Sequence, residues 1–314
     1  MKAIVVTDPN AGTAGMTLQD RPDPDTERLA SLDGATYGDV VAAVHASGFT
    51  GNELEWPSTW VDRRGLDRTP SIPGHEFSGV VTSLSYGAAG LSIGQRVFGV
   101  TDWTRDGSLA EYVVVEARNL APLPGDIDFT VGAGVAMTGL TAWQGIFEHG
   151  GLRTGQSVLV HGAAGSVGSM AAQLAHQAGA YVIGTGRAAH RDAAADFGVH
   201  EFVDLENDAL GDVGHVDLVF DVFGGGIGAE SARLVRPGGT FVTVAGPPEE
   251  RPSEGRAIDF VVVSDRSQLA EISARVREGR LRTNIGQIAS IDDAVAAFNP
   301  SERVSGKTVI RVRP

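Results

Sequence analysis

The stretch Val158-Leu159-Val160-His161-Gly162-Ala163-Ala164-Gly165-Ser166-Val167-Gly168 decides how this chain is read. Its apolar start predicts a buried β-strand, a turn of small residues follows, and a helical pattern runs on to residue 178. Strand, glycine turn and helix in that order hold a dinucleotide pyrophosphate. The glycines let the backbone approach the phosphates, and the helix N-terminus offers free N–H groups and a partial positive charge. The pattern is A-x-G-x-x-G, with Ala163 where the common fingerprint has its first glycine. Gly162, Ala163, Ala164, Gly165, Ser166, Val167 and Gly168 are therefore the candidate phosphate-binding residues.

The next segment bears on the choice of cofactor. A second strand is predicted over 180–184. An NAD site usually carries Asp or Glu at the end of this strand, about 20 residues past the glycines, to bind the ribose 2′-hydroxyl. Here the chain reads Gly184-Thr185-Gly186-Arg187, and the next carboxylate is Asp192. With no acid at that position, nothing in the sequence repels a 2′-phosphate. Arg187 offers its fork of donors, Thr185 a hydroxyl, and Arg191 lies one helical turn further on. The expected cofactor is NADP(H) rather than NAD(H); the alternative is that Arg187 is an ordinary solvated loop residue.

Composition sets outer bounds. At 314 residues the chain is too long for one small core, so two domains are expected. No apolar run is long enough for a membrane span, and the opening Met1-Lys2-Ala3-Ile4-Val5-Val6 reads as a short strand rather than a signal peptide. The absence of cysteine excludes disulfides, thiolate catalysis and cysteine-ligated zinc. A net charge of −14 argues against nucleic acid or anionic membrane as partners and fits a cytoplasmic protein.

Up to about Leu123 the chain is rich in short strands, predicted over 39–45, 76–85, 95–100 and 111–115, and broken by Gly and Pro, as in a compact β barrel or sandwich. A helix over 129–148 then opens an alternation of strands at 157–161, 181–184, 201–204, 216–222 and 240–245 with helices at 166–178, 190–197 and 228–235. This is the pattern of a parallel, doubly wound sheet. A further strand at 259–264, a helix at 267–278 and a closing strand at 307–312 returning to the first domain complete the reading. The fold class is α/β, with domains at 1–123 plus 265–314 and at 124–264.

Several motifs now carry a resemblance. They include Val44-His45-Ala46-Ser47-Gly48, Pro73-Gly74-His75-Glu76-Phe77-Ser78-Gly79-Val80-Val81, Gly94-Gln95-Arg96-Val97-Phe98-Gly99 and Gly107-Ser108-Leu109-Ala110-Glu111-Tyr112. Met137-Thr138-Gly139-Leu140-Thr141-Ala142-Trp143 and the closing Gly306-Lys307-Thr308-Val309 follow in the same order. Together the chain resembles a zinc-independent medium-chain dehydrogenase/reductase of the quinone oxidoreductase and enone reductase branch. The resemblance implies a GroES-like catalytic domain, a Rossmann cofactor domain and a homodimer. It also implies that the Thr50 region lies over the nicotinamide, which makes Thr50 and Asn52 candidate hydrogen-bond donors.

The departures matter too. Thr50 stands where the zinc-dependent branch has a metal-binding Cys, and the Cys-rich structural-zinc lobe is missing. His75 and Glu76 alone do not make a zinc site, which needs about three protein ligands, so no metal is expected. Without a Lewis acid, a quinone or α,β-unsaturated carbonyl is the plausible acceptor, since hydride addition gives a delocalised anion. Thr138 is a candidate contact to the nicotinamide ribose or amide. Phe223, Gly224, Ala245 and Gly246 sit at predicted strand ends, where ligands bind in open α/β sheets, and equally read as ordinary turns. Gly184 completes the candidate cofactor set. Trp56, Trp60 and Trp103 are candidate walls of an acceptor pocket or plain packing, while Tyr112 is expected in the core and His161 is expected to pack beside the cofactor domain rather than act as a base. An enoyl-thioester reductase of fatty-acid or polyketide type and a non-catalytic NADPH-binding sensor remain the alternatives.

Overall fold

The computed structural model describes residues 1–26, 37–301 and 304–314. By contact the chain divides into two compact units. One holds Met1–Met137, Ser264–Arg280 and Ile285–Pro314; the other holds Thr138–Val263 and Leu281–Asn284. The division falls within a helix, Phe129–Trp143, which the sequence reading assigned whole to the second domain.

The first unit opens with β1 (Lys2–Val5), β2 (Thr17–Asp20), β3 (Asp39–Gly48), β4 (Glu76–Leu84), β5 (Arg96–Val100), β6 (Tyr112–Glu116) and β7 (Leu120–Pro122). The second unit carries β8 (Ser157–Val160), β9 (Tyr181–Gly186), β10 (Glu201–Asp204), β11 (Val216–Asp221), β12 (Val235–Thr243) and β13 (Arg256–Asp259). Then β14 (Ile285–Ser290) and β15 (Lys307–Arg311) belong to the first unit again.

In the first unit, seven strands form one sheet in the order β14-β15-β3-β4-β5-β7, with β6 on β3. All its pairs are antiparallel except β14 with β15. The strand at the centre, β3, is valine- and alanine-rich and almost wholly buried, because it meets β4, β6 and β15. Val40, Val44, Phe77, Val97 and Leu120 make one core, and Ile4, Phe49, Leu54, Leu109 and Ile310 make a second. Burying side chains of this size is worth about 1.5–3 kcal/mol each.

The six strands of the second unit are all parallel, in the order β10-β9-β8-β11-β12-β13. Counted within the unit this is 3-2-1-4-5-6, the Rossmann order, whose topological switch lies between β8 and β11. Its core centres on Leu159, Ile183, Val219 and Phe241. The predicted doubly wound sheet and the β-rich first unit are both present.

Two elements fall elsewhere than expected. The helix expected at 228–235 spans Gly225–Ala232, and Val235 opens β12. Glycines at 225, 226 and 228 are poor helix formers, yet the helix starts there, because Asp221 accepts the Phe223 and Gly224 N–H groups just ahead of it. The strand expected at 259–264 is β13 instead, ending where the apolar run begins. Its partner β12 stops at Thr243, paired with Asp259, so the apolar residues beyond have no ladder to join, and Val261 and Val263 are exposed. No helix among the described residues is long and apolar enough to cross a membrane.

Candidate functional site

The turn after β8 is built from backbone. Gly162 takes φ +60°, a conformation that favours glycine. Its carbonyl accepts the Gly165 N–H at 2.6 Å, and the Ala163 N–H donates to the Thr185 carbonyl at 3.0 Å, tying the turn to β9. The helix Ser166–Gln177 then begins from Gly165, and no side chain caps it. Its first N–H groups have no partner within the helix, which is what an anion at a helix N-terminus requires. A Cβ at Gly168 would lie 2.1 Å from the Gly162 oxygen, so only glycine lets the helix start so close to the turn. Gly184 plays the matching part on β9, where a Cβ would fall 2.6 Å from the Ala163 methyl. Ala163 and Ala164 are buried, and the Ala164 carbonyl accepts from Asn284 Nδ2 at 2.7 Å.

The strand ends beside this turn come together. Phe223 packs on it; a Cβ at Gly162 would lie 3.1 Å from its ring. Gly224 takes φ +68° and lies against Ala245, and Gly246 takes φ +107°. Thr243 Oγ1 joins these two loops, donating to Asp221 at 2.9 Å and accepting from the Ala245 N–H at 3.1 Å. Thr138 is buried.

Thr185 requires a correction. It is fully buried, and its hydroxyl lies 2.9 Å from Nδ1 of His161. The other ring nitrogen, Nε2, lies 2.6 Å from Ser231 Oγ, which itself donates to the Ile227 carbonyl at 2.7 Å. Ser231 has spent its one proton, so Nε2 of His161 is the donor to it, and Nδ1 accepts the Thr185 proton. Burial pushes the His161 imidazole down to about 4, which keeps it neutral. Thr185 therefore has no proton left for a 2′-phosphate. It anchors His161 beneath the turn instead.

The reading that nothing there repels a 2′-phosphate is also corrected. Arg187 is exposed, and its Nε lies 3.8 Å from Oε1 of Glu206, which stands just past the end of β10. Arg191 donates to the Phe202 carbonyl at 3.0 Å, covers the Phe202 ring and lies 3.9 Å from Asp208. A carboxylate thus stands beside Arg187, from the turn that follows the neighbouring strand. The run Asp204-Leu205-Glu206-Asn207-Asp208 was the signal for it.

The first unit holds a buried polar cluster around the end of β3. Thr50 is half-buried, its hydroxyl 3.4 Å from the Met137 sulfur, and Asn52 is exposed. Three residues past Thr50, Glu53 is fully buried and accepts the Gly74 N–H at 2.5 Å. Burial pushes its carboxyl up to about 8, against the pull of the Gly74 and Thr50 N–H groups. His75 lies 3.6 Å from Glu53 through Nε2 and 2.6 Å from Thr101 Oγ1 through Nδ1; burial pushes it down to about 3. Near neutral pH this contact is therefore between two largely uncharged groups. Glu76 is fully buried opposite the buried ammonium of Lys307; burial raises its carboxyl and Lys307 opposes that. Glu53 and Lys307 are functional candidates that sequence reasoning passed over.

These residues do not fit a zinc ion. The His75 nitrogens face Thr101 and Glu53, Thr50 offers a neutral hydroxyl, and no group of three His, Cys, Asp or Glu side chains among the described residues is arranged to hold a metal. Trp56 and Trp103 meet edge to face, with ring centroids 5.5 Å apart, and both flank His75. Trp60 is half-buried and packs against the core: its Nε1 donates to the Leu54 carbonyl at 2.8 Å and its ring lies on the Ile4 cluster. Tyr112 is not core; it is half-buried, with the Arg313 guanidinium 4.7 Å from its ring centroid.

Comparison with known proteins agrees with this architecture. The alcohol dehydrogenase GroES-like domain family matches residues 36–125, and the zinc-binding dehydrogenase family matches residues 166–273. The chain is 35% identical over 301 residues to the spectinabilin polyketide synthase system protein NorB of Streptomyces orinoci, covering 88% of this chain but only 13% of that protein. It is 32% identical over 268 residues to a 2-methylene-furan-3-one reductase of Solanum lycopersicum, covering 78% of this chain and 64% of that one. The structure of the quinone oxidoreductase from Coxiella burnetii superposes with a TM-score of 0.88 at 26% identity, covering 100% of this chain and 99% of that one. The chain thus belongs to the medium-chain dehydrogenase/reductase family, in its quinone oxidoreductase branch.

Proposed function

We propose that this protein transfers hydride from NADPH to a quinone or an α,β-unsaturated carbonyl, with no metal in the reaction. The observation that carries the reading is the donor set at the end of β3. Thr50 takes the place of a metal-binding Cys, both His75 nitrogens face protein oxygens, and the chain has no cysteine. That set offers hydrogen bonds and no Lewis acid, so it suits an acceptor that is already electrophilic and spreads its charge as an enolate or hydroquinone anion.

The residues fit a nicotinamide dinucleotide. The turn after β8, which glycine at 168 lets the helix approach closely, and the uncapped N-terminus of the helix Ser166–Gln177 suit its pyrophosphate. Phe223–Gly224 and Ala245–Gly246 border the same turn, and Thr138 is a further contact. When bound, the nicotinamide supplies the hydride. Thr50 and Asn52 act as donors to the developing oxyanion, and Arg187 pairs with the 2′-phosphate. Names borne by relatives, an enone reductase in tomato and a quinone oxidoreductase in Coxiella, favour this acceptor class. A second reading, reduction of an enoyl thioester, is favoured by the identity to a polyketide synthase system protein.

The test follows NADPH oxidation with a quinone, a simple enone, a crotonyl thioester and a saturated ketone, with and without chelator, and with NADH in parallel. Turnover of the conjugated acceptors, indifferent to chelator, is expected. A crotonyl rate above the quinone rate selects the second reading, and ketone turnover lost with chelator overturns both. Arg187→Ala should weaken NADPH binding about tenfold or more, as for the loss of a charge-assisted hydrogen bond, and leave NADH nearly unchanged.

A further inference from the structure

We propose that Glu206 sets how strongly this chain prefers NADPH to NADH, by holding Arg187 in competition with the 2′-phosphate. The proposal rests on the reading of Arg187 as the 2′-phosphate partner. It concerns a residue just past the third strand of the sheet, not the end of the second, where an acid would ordinarily decide the matter.

The juxtaposition of the two side chains is built. Strands β9 and β10 run parallel, with Asp204 opposite Gly186, and the Leu205 N–H then donates to the Gly186 carbonyl at 2.9 Å. Asp204 is buried, and its carboxylate joins the two turns that leave these strands. It accepts the Glu206 N–H at 3.2 Å and Asn207 Nδ2 at 2.6 Å on one side, and the Ala188 N–H on the other. Those hydrogen bonds hold its carboxyl below the usual range, so it stays ionised while it does this. Arg187 and Glu206 thus project from two turns pinned by one carboxylate, and their charged ends lie 3.8 Å apart.

Charge decides what this pair does. The side chains of Arg187 and Glu206 are 53% and 63% exposed, so the pair is weak in water and does not lock the arginine away. A 2′-phosphate dianion still has to draw the guanidinium from a carboxylate and then sit beside that carboxylate. Arg191 gives limited help, because it is bonded to the Phe202 carbonyl and lies near Asp208. A ribose 2′-hydroxyl is uncharged, feels no repulsion from Glu206 and can donate to it. Glu206 therefore weakens binding of the 2′-phosphate selectively and narrows the gap between the two cofactors.

The experiment measures dissociation constants of the full chain for adenosine 2′,5′-bisphosphate and adenosine 5′-monophosphate, which differ only in the 2′-phosphate. The proteins are wild type, Glu206→Gln, Arg187→Ala and the double variant. Glu206→Gln should tighten the bisphosphate about three- to tenfold at low ionic strength and less at high salt. It should leave the monophosphate within about twofold, since the monophosphate brings no charge to this position. The gain should shrink in the Arg187→Ala background to the part that direct repulsion supplies, within about twofold. If Glu206→Gln changes neither ligand while Arg187→Ala still costs the bisphosphate selectively, the proposal is overturned and the NADPH reading stands. A gain of undiminished size without Arg187 overturns the competition. If Arg187→Ala costs nothing selective, the 2′-phosphate assignment itself fails and takes this proposal with it.

Discussion

Two helices of this protein, Ser166–Gln177 and Arg266–Arg277, are both twelve residues long and begin in opposite ways. The helix of the first unit is closed by its own sequence: Asp265 accepts the N–H groups of Ser267 and Gln268 at 2.8 and 2.9 Å. The helix of the second unit starts at Gly165, with no side chain on its N–H groups. Each free helix start leaves four donors to satisfy. Where the donors only need satisfying, a carboxylate does it locally and stabilises the fold. Where they are to receive a phosphate, a local carboxylate would occupy the place and repel the guest. The same contrast runs through the two units. In the first, two buried carboxyls meet partners within the unit, Glu76 with Lys307 and Glu53 with the Gly74 N–H. The second uses a closed network, His161 with Thr185 and Ser231, to hold up a turn whose outer N–H groups stay open.

The largest effect should come from opening what the first unit closes. Lys307→Met leaves the Glu76 carboxyl buried without its cation, and removing one partner of a buried pair costs about 3–5 kcal/mol. Urea denaturation should show that loss, and Glu76→Leu combined with Lys307→Met should recover most of it. A loss under about 1 kcal/mol, the range of exposed pairs, would mean that the pair is not closed at all. Next comes displacing the turn whose N–H groups the second unit leaves open. Gly168→Ala would place a methyl 2.1 Å from the Gly162 oxygen and force the helix start off the turn. NADPH binding should weaken by about 100-fold, or about 2.8 kcal/mol, with a smaller loss of stability. Unchanged binding would show that the phosphates do not use this turn.

How much of this is legible in the sequence depends on where the partner lies. The strand, turn and helix at 157–177 are continuous in the chain and governed by local rules, so their residues announce them. The 3-2-1-4-5-6 sheet follows from the alternation of strands and helices. The sequence does not reveal the inward side chain of Thr185, because strands of a parallel sheet covered on both faces bury successive residues and alternation does not say which way a side chain points. The apolar run after β13 looks like a strand for a related reason: periodicity reports apolarity, not whether a neighbour is present to pair with it. Glu53 was passed over because a Glu in a polar loop is ordinarily solvated, and only the fold brings the Gly74 N–H to it. Glu206 and Lys307 act on Arg187 and Glu76 across strand pairings or long stretches of chain. Charge that is missing or unpaired in sequence is thus supplied in space.

The smallest effect tests the comparison at its own scale. Asp265→Ala removes the side-chain acceptor for two N–H groups, and losing an N-cap of this kind costs about 0.5–2 kcal/mol. The residue is near the surface, so water takes over part of the bonding and the cost should sit in the lower half of that range. Its carboxyl is held below the usual range by the Ser267 hydroxyl and the Gln268 and Ser267 N–H groups, so the wild-type cap works in its charged form at neutral pH. A carboxyl bound this way gives stability that is present above its unfolded pKa and lost as pH falls through its folded one. The difference between wild type and Asp265→Ala should therefore shrink in acid, and urea melts at neutral and acid pH read it directly. NADPH affinity should not change, because this cap belongs to the helix that is closed for stability. A change in NADPH affinity at neutral pH would mean that the two helix starts are not the separate devices their caps make them.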